Sequence, residues 1–284
     1  MEILFQLLTL FYTSTLGQWL NAHTDAASND LLGAVTTYFE QAVTDVCNPA
    51  FMGAITGITI PIGILIMSIY FLVDLISKSM TANFNVEILI RSFIKFIIGY
   101  ALINNCDKIA GGLIQFGDVL TSDVAAQIGG LNYSFSSNAQ KILDYITSNP
   151  MLTLKYGYAV IFRLIIKCMA ETVITWLYKA MIMIVAYSRA IKIFVYRAFL
   201  PIVIADIFGK GIYAGSVRHI KRLLALAMQY PMVYIICVLS CIFLGQMDFL
   251  HTNWVSMLGQ MAMVGIVVVN TIKKSTNEAM QIFG

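Results

Sequence analysis

The segment 51–73 contains 23 consecutive residues without a charged side chain. A helix needs about 20 apolar residues to cross the ~30 Å hydrocarbon core of a bilayer, so this segment is long enough to span a membrane. Apolar residues make up 59% of the 284 positions and charged residues only 12%, about half the charged share of a typical soluble domain. So few charges cannot cover a soluble globule with a hydrated surface. The composition therefore predicts a polytopic, all-α membrane protein.

Further apolar segments are predicted to cross the membrane at roughly 86–103, 172–187, 223–244 and 257–272. The segment 193–208 is also apolar, but Pro201 interrupts it and glycines follow, so we expect a re-entrant half-span there. At the start of the chain, polar residues within 3–20 recur at helical spacing. This pattern predicts an amphipathic helix lying in the interface, and a membrane-crossing segment is the alternative.

The distribution of basic residues predicts the orientation. With the N-terminus outside, twelve Lys and Arg residues, Arg189 and Arg197 among them, fall on the inside and three fall on the outside. Cytoplasmic loops carry such an excess, so the sequence predicts five spans plus the half-span, with the N-terminus outside and the C-terminus inside. The predicted regions are an extracytoplasmic 1–50, the first two spans in 51–105, an extracytoplasmic polar loop in 106–155 and a C-terminal membrane domain in 156–284.

Small residues in the first span indicate close helix packing. Gly53 and Gly57 form a GxxxG pattern, and Pro61 follows. Such a pattern lets two helix backbones approach each other. The partner helix can belong to this chain or to a second copy.

Four ionisable residues share one slowly drifting helix face: Arg163, Lys167, Glu171 and Lys179. A charge at the bilayer centre costs roughly 2.5–3.5 kcal/mol on insertion scales. One interpretation is a face lining a polar passage or a subunit interface. The other is that the first three lie outside the hydrocarbon, with Lys167 paired to Glu171, while Lys179 reaches the interface.

The segment 209–222 is predicted to be a cytoplasmic loop with glycines at 209, 211 and 215. Its basic residues are Lys210, Arg218, Lys221 and Arg222. Such a loop suits contact with a soluble ATPase or a polyanionic substrate. The alternative is a loop that fixes the topology beside anionic lipid.

No pattern typical of catalysis or of a cofactor site occurs. The chain has no GxxxxGK[ST], no HExxH and no CxxC, and its three histidines are scattered. We therefore predict no enzyme activity, no cofactor and no metal. Cys47 and Cys106 both fall in regions predicted to be extracytoplasmic, so they could pair.

Two stretches resemble the TrbL-type polytopic membrane proteins of conjugative type IV secretion systems, closest to the short Gram-positive forms. In 191–240 the similar features are Tyr196 with Arg197 at a helix end, then Pro201, the glycines Gly209 to Gly215, and the basic pair Lys221 and Arg222 before an apolar span. The second stretch has Pro61 and Asp74 in the first span, followed by a basic-rimmed second span ending in an Asn/Asp turn. The chain ends at Gly284 without the long hydrophilic extension of many larger relatives, so no role of that extension is carried over.

The resemblance implies a non-enzymatic scaffold or channel subunit in the bacterial cytoplasmic membrane. It implies a homo-oligomer that works with other secretion-channel subunits and separate secretion ATPases, in contact with the translocated DNA or protein. A secondary transporter or ion channel is the alternative, because helices broken by Pro61, Pro201 and Pro231 and carrying charges suit a transporter. The two halves of the chain show no internal repeat, which counts against a transporter.

Overall fold

The computed structural model describes residues 17–80, 85–128, 150–210, 215–246 and 254–283. All regular secondary structure in these ranges is helical. The eight helices are α1 (Gly17–Val46), α2 (Pro49–Ser79), α3 (Val86–Asn104), α4 (Cys106–Ile128), α5 (Pro150–Ala198), α6 (Leu200–Lys210), α7 (Gly215–Gln246) and α8 (Trp254–Phe283). The all-α prediction is confirmed. The expected interfacial helix at 3–20 lies mostly outside the described residues.

The start of α2 follows from local sequence. The Asn48 side chain accepts a hydrogen bond from the Ala50 N–H at 2.9 Å, and Pro49 occupies the first helical position. An Asn cap satisfies one of the free N–H groups of the first turn, and a proline there loses no helical hydrogen bond. The helix therefore begins two residues before the charge-free segment.

The polar loop expected from residue 106 onward is wrong over its first part. Helix α4 begins at Cys106, and Asn105 alone separates it from α3. The Asn105 side chain donates to the Ala101 carbonyl at 2.8 Å, which satisfies the end of α3. The polar residues that suggested a loop instead form one side of an amphipathic helix. Residues 129–149 of the expected loop lie outside the described part of the chain.

Helix α5 is a single helix of 49 residues, roughly 74 Å long at 1.5 Å per residue. The sequence predicted an amphipathic part and a separate membrane part, and no break divides them in the structure. The break comes at Phe199, and Pro201 lies in the first turn of α6. A proline disfavours continuation of a helix through its own position but is tolerated in a first turn. The break thus lies two residues before Pro201, and the re-entrant half-span expected at 193–208 stays a prediction.

The described residues fall into two compact units, each built from three stretches of chain. The first unit contains residues from Met1–Tyr38, Ala125–Val185 and Met232–Lys274, and the second unit contains residues from Phe39–Val124, Ala186–Pro231 and Ser275–Gly284. The boundaries fall within helices, so α1, α4, α5, α7 and α8 contribute to both units.

A buried apolar cluster holds the second unit together. Helix α6 packs along α2 and also contacts α3. The cluster takes side chains from α2, α3, α4, α6 and α7, namely Met67, Ile103, Cys106, Ala110, Leu200, Ile204, Ala205 and Leu223. At Gly63 an added Cβ would lie 2.7 Å from the Pro201 carbonyl oxygen. The absence of a side chain at Gly63 thus lets α6 lie against α2.

Among the described residues, two helical segments are long and apolar enough to cross a membrane: Pro49–Ser79, with mean hydropathy 2.2, and Val217–Phe243, with mean hydropathy 1.9. Helices α2 and α3 also expose large apolar side chains, for example Ile58 at 64%, Leu65 at 61% and Ile97 at 61%. Contiguous exposed apolar surface of this kind is rare on soluble monomers. The other predicted spans are helical in the structure, and the number of five spans remains a prediction.

Candidate functional site: a buried arginine in the second unit

Arg189 of α5 is the largest side chain that the second unit buries completely, with 1% of its surface exposed. Its Nε donates to the Leu226 carbonyl oxygen at 2.7 Å, and an Nη2 lies 3.5 Å from the Ala227 carbonyl oxygen and 3.9 Å from Asp118 Oδ1. The sequence placed Arg189 at a cytoplasmic membrane boundary. The structure shows that the guanidinium is enclosed by protein, and its position relative to the membrane stays a prediction.

Two aromatic rings complete the enclosure of Arg189. The guanidinium carbon lies 5.3 Å from the centre of the Phe39 ring and 5.6 Å from that of the Tyr230 ring. The two rings stack on each other with their centres 4.8 Å apart. Aromatic faces attract cations and do so more strongly away from water. Arg189 therefore joins α1, α4, α5 and α7 at one point.

Pro231 leaves one of the two carbonyl groups of α7 near Arg189 without a helical donor. Pro231 has no N–H, so the Ala227 carbonyl, four residues earlier, lacks its helical donor. The Arg189 guanidinium approaches this carbonyl and that of Leu226. A buried carbonyl without a donor is costly, and a charged donor makes a strong replacement. The proline and the arginine thus compensate for each other across two helices.

The Arg189 guanidinium stays ionised near neutral pH. Burial lowers the pKa of Arg189 to about 10, and Asp118 opposes this change, so the guanidinium remains a cation. Burial raises the pKa of Asp118, while Arg189 acts in the other direction. The Asp118 side chain is 45% exposed. This carboxylate is therefore accessible, whereas the Arg189 guanidinium is not.

A second ion pair joins the same two helices near the start of α4. Arg197 Nε donates to Asp107 Oδ1 at 2.9 Å. The charge count assigned Arg197 to the inside and the segment 106–155 to the outside. Two atoms in contact cannot lie on opposite sides of a bilayer, so these two assignments cannot both hold. Arg189 and Arg197 are both paired within the protein, so neither is a free surface charge of the kind that sets orientation.

A smaller polar cluster lies between α2 and α3. Lys78 contacts Asp74 at 2.5 Å and Ser92 at 2.9 Å, and Ser92 donates to Asp74 at 3.1 Å. Asp74 and Ser92, with Lys95 and Tyr70, line a cavity of about 50 Å³. A space of this size suits one or two waters. We interpret the cluster as a structural contact between the two helices.

The structure places the predicted basic residues on a helix. Arg218, Lys221 and Arg222 lie in the first turns of α7 and are exposed, so the predicted loop is wrong for this part. Gly215 begins α7, while Gly209 and Lys210 end α6, and the side chain of Lys210 lies outside the described residues. Gly211 lies outside them altogether. Three cations therefore share one exposed helix start.

The predicted polar face on α5 is only partly described. Arg163, Lys167 and Glu171 belong to α5, but their side chains lie outside the described residues. Lys179 is partly exposed. Whether the four charges act together stays a prediction.

Within the described residues, no helix packs closely on Gly53 or Gly57. Both are exposed, and an added Cβ at either would meet no described atom within 4 Å. Pro61 is also exposed, inside α2. The close contacts occur instead at Gly63, Gly99 and Gly117. Packing of Gly53 and Gly57 against a second copy of the chain stays a prediction.

Sequence reasoning missed the acidic partners of the two arginines. Asp107 and Asp118 are eleven residues apart, close to three helical turns, and Arg189 and Arg197 are eight apart, close to two. Both pairs thus follow one face of a helix, which was a usable signal. The spacing of the two acids has meaning only if 106–128 is helical, and the polar composition of this segment favours a loop.

Within the described residues no group of three or more His, Cys, Asp or Glu side chains could hold a metal ion. Cys47 and Cys106, which could have paired, are free thiols in the structure. Burial raises the pKa of Cys106 to about 11, so its thiol is protonated at neutral pH.

The comparisons with known proteins give one match. A family model described as TrbL/VirB6 plasmid conjugal transfer like protein matches residues 51–201, from the start of α2 to the first turn of α6. No curated protein and no solved structure matches the chain.

Proposed function

The chain belongs to the TrbL/VirB6 plasmid conjugal transfer-like family, and on this premise we propose that it is an integral scaffold or channel subunit of a conjugative type IV secretion apparatus in the bacterial cytoplasmic membrane. In this proposal it is not an enzyme. It forms a homo-oligomer and binds other channel subunits and secretion ATPases, which supply the energy for transfer.

The observation that carries the proposal is the extent of the family match. It covers more than half of the chain and includes α2 to α5 with both ion pairs on α4 and α5. The matched part therefore includes most of α2 and the whole of α3, α4 and α5, with residues of both units, rather than one short motif. Residues 202–284 lie outside the match. For 202–240 the proposal relies on the resemblance in sequence.

Two surfaces are consistent with this role. The exposed apolar sides of α2 and α3 suit contact with lipid or with another apolar helix. The cations Arg218, Lys221 and Arg222 at the start of α7 suit contact with an acidic protein surface or with translocated DNA. The transferred molecule then passes near the subunit without being chemically changed.

The decisive experiment combines a deletion with a pull-down from the native host. Deleting the gene should abolish conjugative transfer, and the tagged full-length protein should restore it. Purified in mild detergent, that protein should be recovered as a higher oligomer together with secretion ATPases. Wild-type transfer by the deletion strain would overturn the proposal.

The fully buried charge of Arg189 favours one alternative, a secondary transporter or ion channel, because buried ionisable groups in broken helices often mark ion pathways. Purified protein in liposomes would then carry ions or solutes without partners. Flux that disappears in Arg189→Met but persists in Lys192→Met would support a transporter.

A further inference from the structure

The first unit contains a large apolar groove between α5 and α8. It encloses about 960 Å³, near the upper end of the roughly 300–1,000 Å³ of typical ligand pockets. On α5 its wall runs from Ile166 to Met181, and on α8 it runs from Leu258 to Lys273. Fifteen residues of helix rise roughly 22 Å. The groove is therefore long enough for one extended acyl chain.

The lining of the groove is polar at one end. Most of the wall consists of Ile, Leu, Val, Met, Ala and Gly side chains. Among the described residues of the lining, the polar ones apart from Tyr178 are Asn270 and Lys273, three residues apart on one face of α8. Lys273 is exposed, so its ammonium group is accessible. An amphiphile with a long apolar tail and an anionic head matches this pattern.

We propose that the groove binds one anionic phospholipid, with an acyl chain along α5 and α8 and the phosphate at Lys273 and Asn270. A transmembrane helix from a second copy would present apolar side chains along the whole groove and would leave this polar end unmatched. The inference requires membrane insertion but no role in secretion.

The test is native mass spectrometry of the full-length protein in detergent, titrated with phosphatidylglycerol and with phosphatidylcholine of identical acyl chains. Phosphatidylglycerol should bind more tightly. Lys273→Gln should weaken its binding roughly fivefold, which corresponds to about 1 kcal/mol. Lys274→Gln is the matched control, because Lys274 is also exposed but does not line the groove.

A second pair of variants tests the site of the acyl chain. Ala262→Phe fills the groove and should reduce binding of both lipids, whereas Met263→Phe should not, because Met263 is 67% exposed and lies outside the lining. Equal binding of the two lipids, or equal effects at Lys273 and Lys274, would overturn the proposal. An oligomer that Ala262→Phe dissociates would also overturn it, because it would make a second copy the occupant.

Discussion

Arg189 keeps its charge in a place that water does not reach. Moving such an ion out of water costs several kcal/mol, which close partners must offset. Here two backbone carbonyls, a carboxylate and two aromatic faces surround one guanidinium. Three of these partners come from α7, close to the proline that opens its hydrogen-bond ladder. Arg189 thus donates to the Ala227 carbonyl, for which α7 has no donor of its own.

This interpretation predicts that Arg189 and Pro231 are coupled energetically. Arg189→Met should lower the free energy of unfolding by about 2–3 kcal/mol, because Asp118 and the Ala227 carbonyl lose their partner. In a Pro231→Ala background the same change should cost about 1 kcal/mol less, since an alanine N–H restores the helical bond to Ala227. Denaturant titration of the four proteins in micelles gives the coupling.

Lys192→Met is the control for this cycle. Lys192 lies one turn further along α5 and is partly exposed, so its loss should change stability by no more than about 0.5 kcal/mol. Strictly additive effects of Arg189→Met and Pro231→Ala would contradict the assigned contact.

At the scale of elements, glycine positions decide where helices approach each other. An added Cβ at Gly117 would fall on the Ala227 carbonyl oxygen of α7, and one at Gly63 would lie 2.7 Å from that of Pro201. Both obstacles are backbone atoms, which cannot rotate away. Gly53 and Gly57 have open space in the described structure. Gly63 and Gly117 therefore allow two helices to approach each other, whereas Gly53 and Gly57 have no such role among the described residues.

Alanine substitutions should separate the two sets. Gly63→Ala and Gly117→Ala should each destabilise the protein by about 1–3 kcal/mol through overpacking. Gly53→Ala and Gly57→Ala should leave stability unchanged or raise it by about 0.5–1 kcal/mol, since alanine favours the helix. Thermal unfolding in detergent provides the measurement, and equal losses at all four positions would count against the described packing.

The sequence predicted the helical class and a break near Pro201 because both depend on local features: apolar length and a proline that lacks an N–H. The prediction of a loop is wrong at α4, because polar residues also occur on a helix that pairs with another helix. Asp107 and Asp118 in fact contact arginines that lie 90 and 71 residues away in the chain. Long-range pairing of this kind leaves only a weak trace in one sequence, a helical spacing of acids on one segment and of bases on another.

The exposed start of α7 carries a prediction of its own. Changing Lys221 and Arg222 together to Glu should reduce conjugative transfer by roughly tenfold or more, because a surface complementary to an acidic partner becomes repulsive. Both side chains are exposed, so stability should change by less than about 0.5 kcal/mol. Mating assays and membrane fractionation give the two values.

Lys108→Glu is the matched control, because Lys108 is exposed on α4, away from the cluster in sequence. If the double variant is inserted normally and transfers at the wild-type frequency, the cluster has no role in contact with partners.

For the whole molecule, the open face at Gly53 and Gly57 predicts how copies associate. Leucines at both positions would fill the space that a GxxxG contact needs. The variant Gly53→Leu/Gly57→Leu should therefore shift the detergent-purified protein from a higher oligomer toward the monomer without loss of helical content. Light scattering and circular dichroism measure the two properties, and an unchanged oligomer would exclude this face as the contact.

The three-stretch composition of each unit has a consequence for biosynthesis. The first unit needs residues up to Lys274, and the second needs Ser275–Gly284, so the ribosome must translate nearly the whole chain before either unit has all its parts. The helices that are synthesised first therefore lie in the membrane or at its surface before the helices that they contact have been made. Insertion factors or lipid must shield them during that interval, and a nascent chain stalled anywhere in the middle would be a target for membrane proteases.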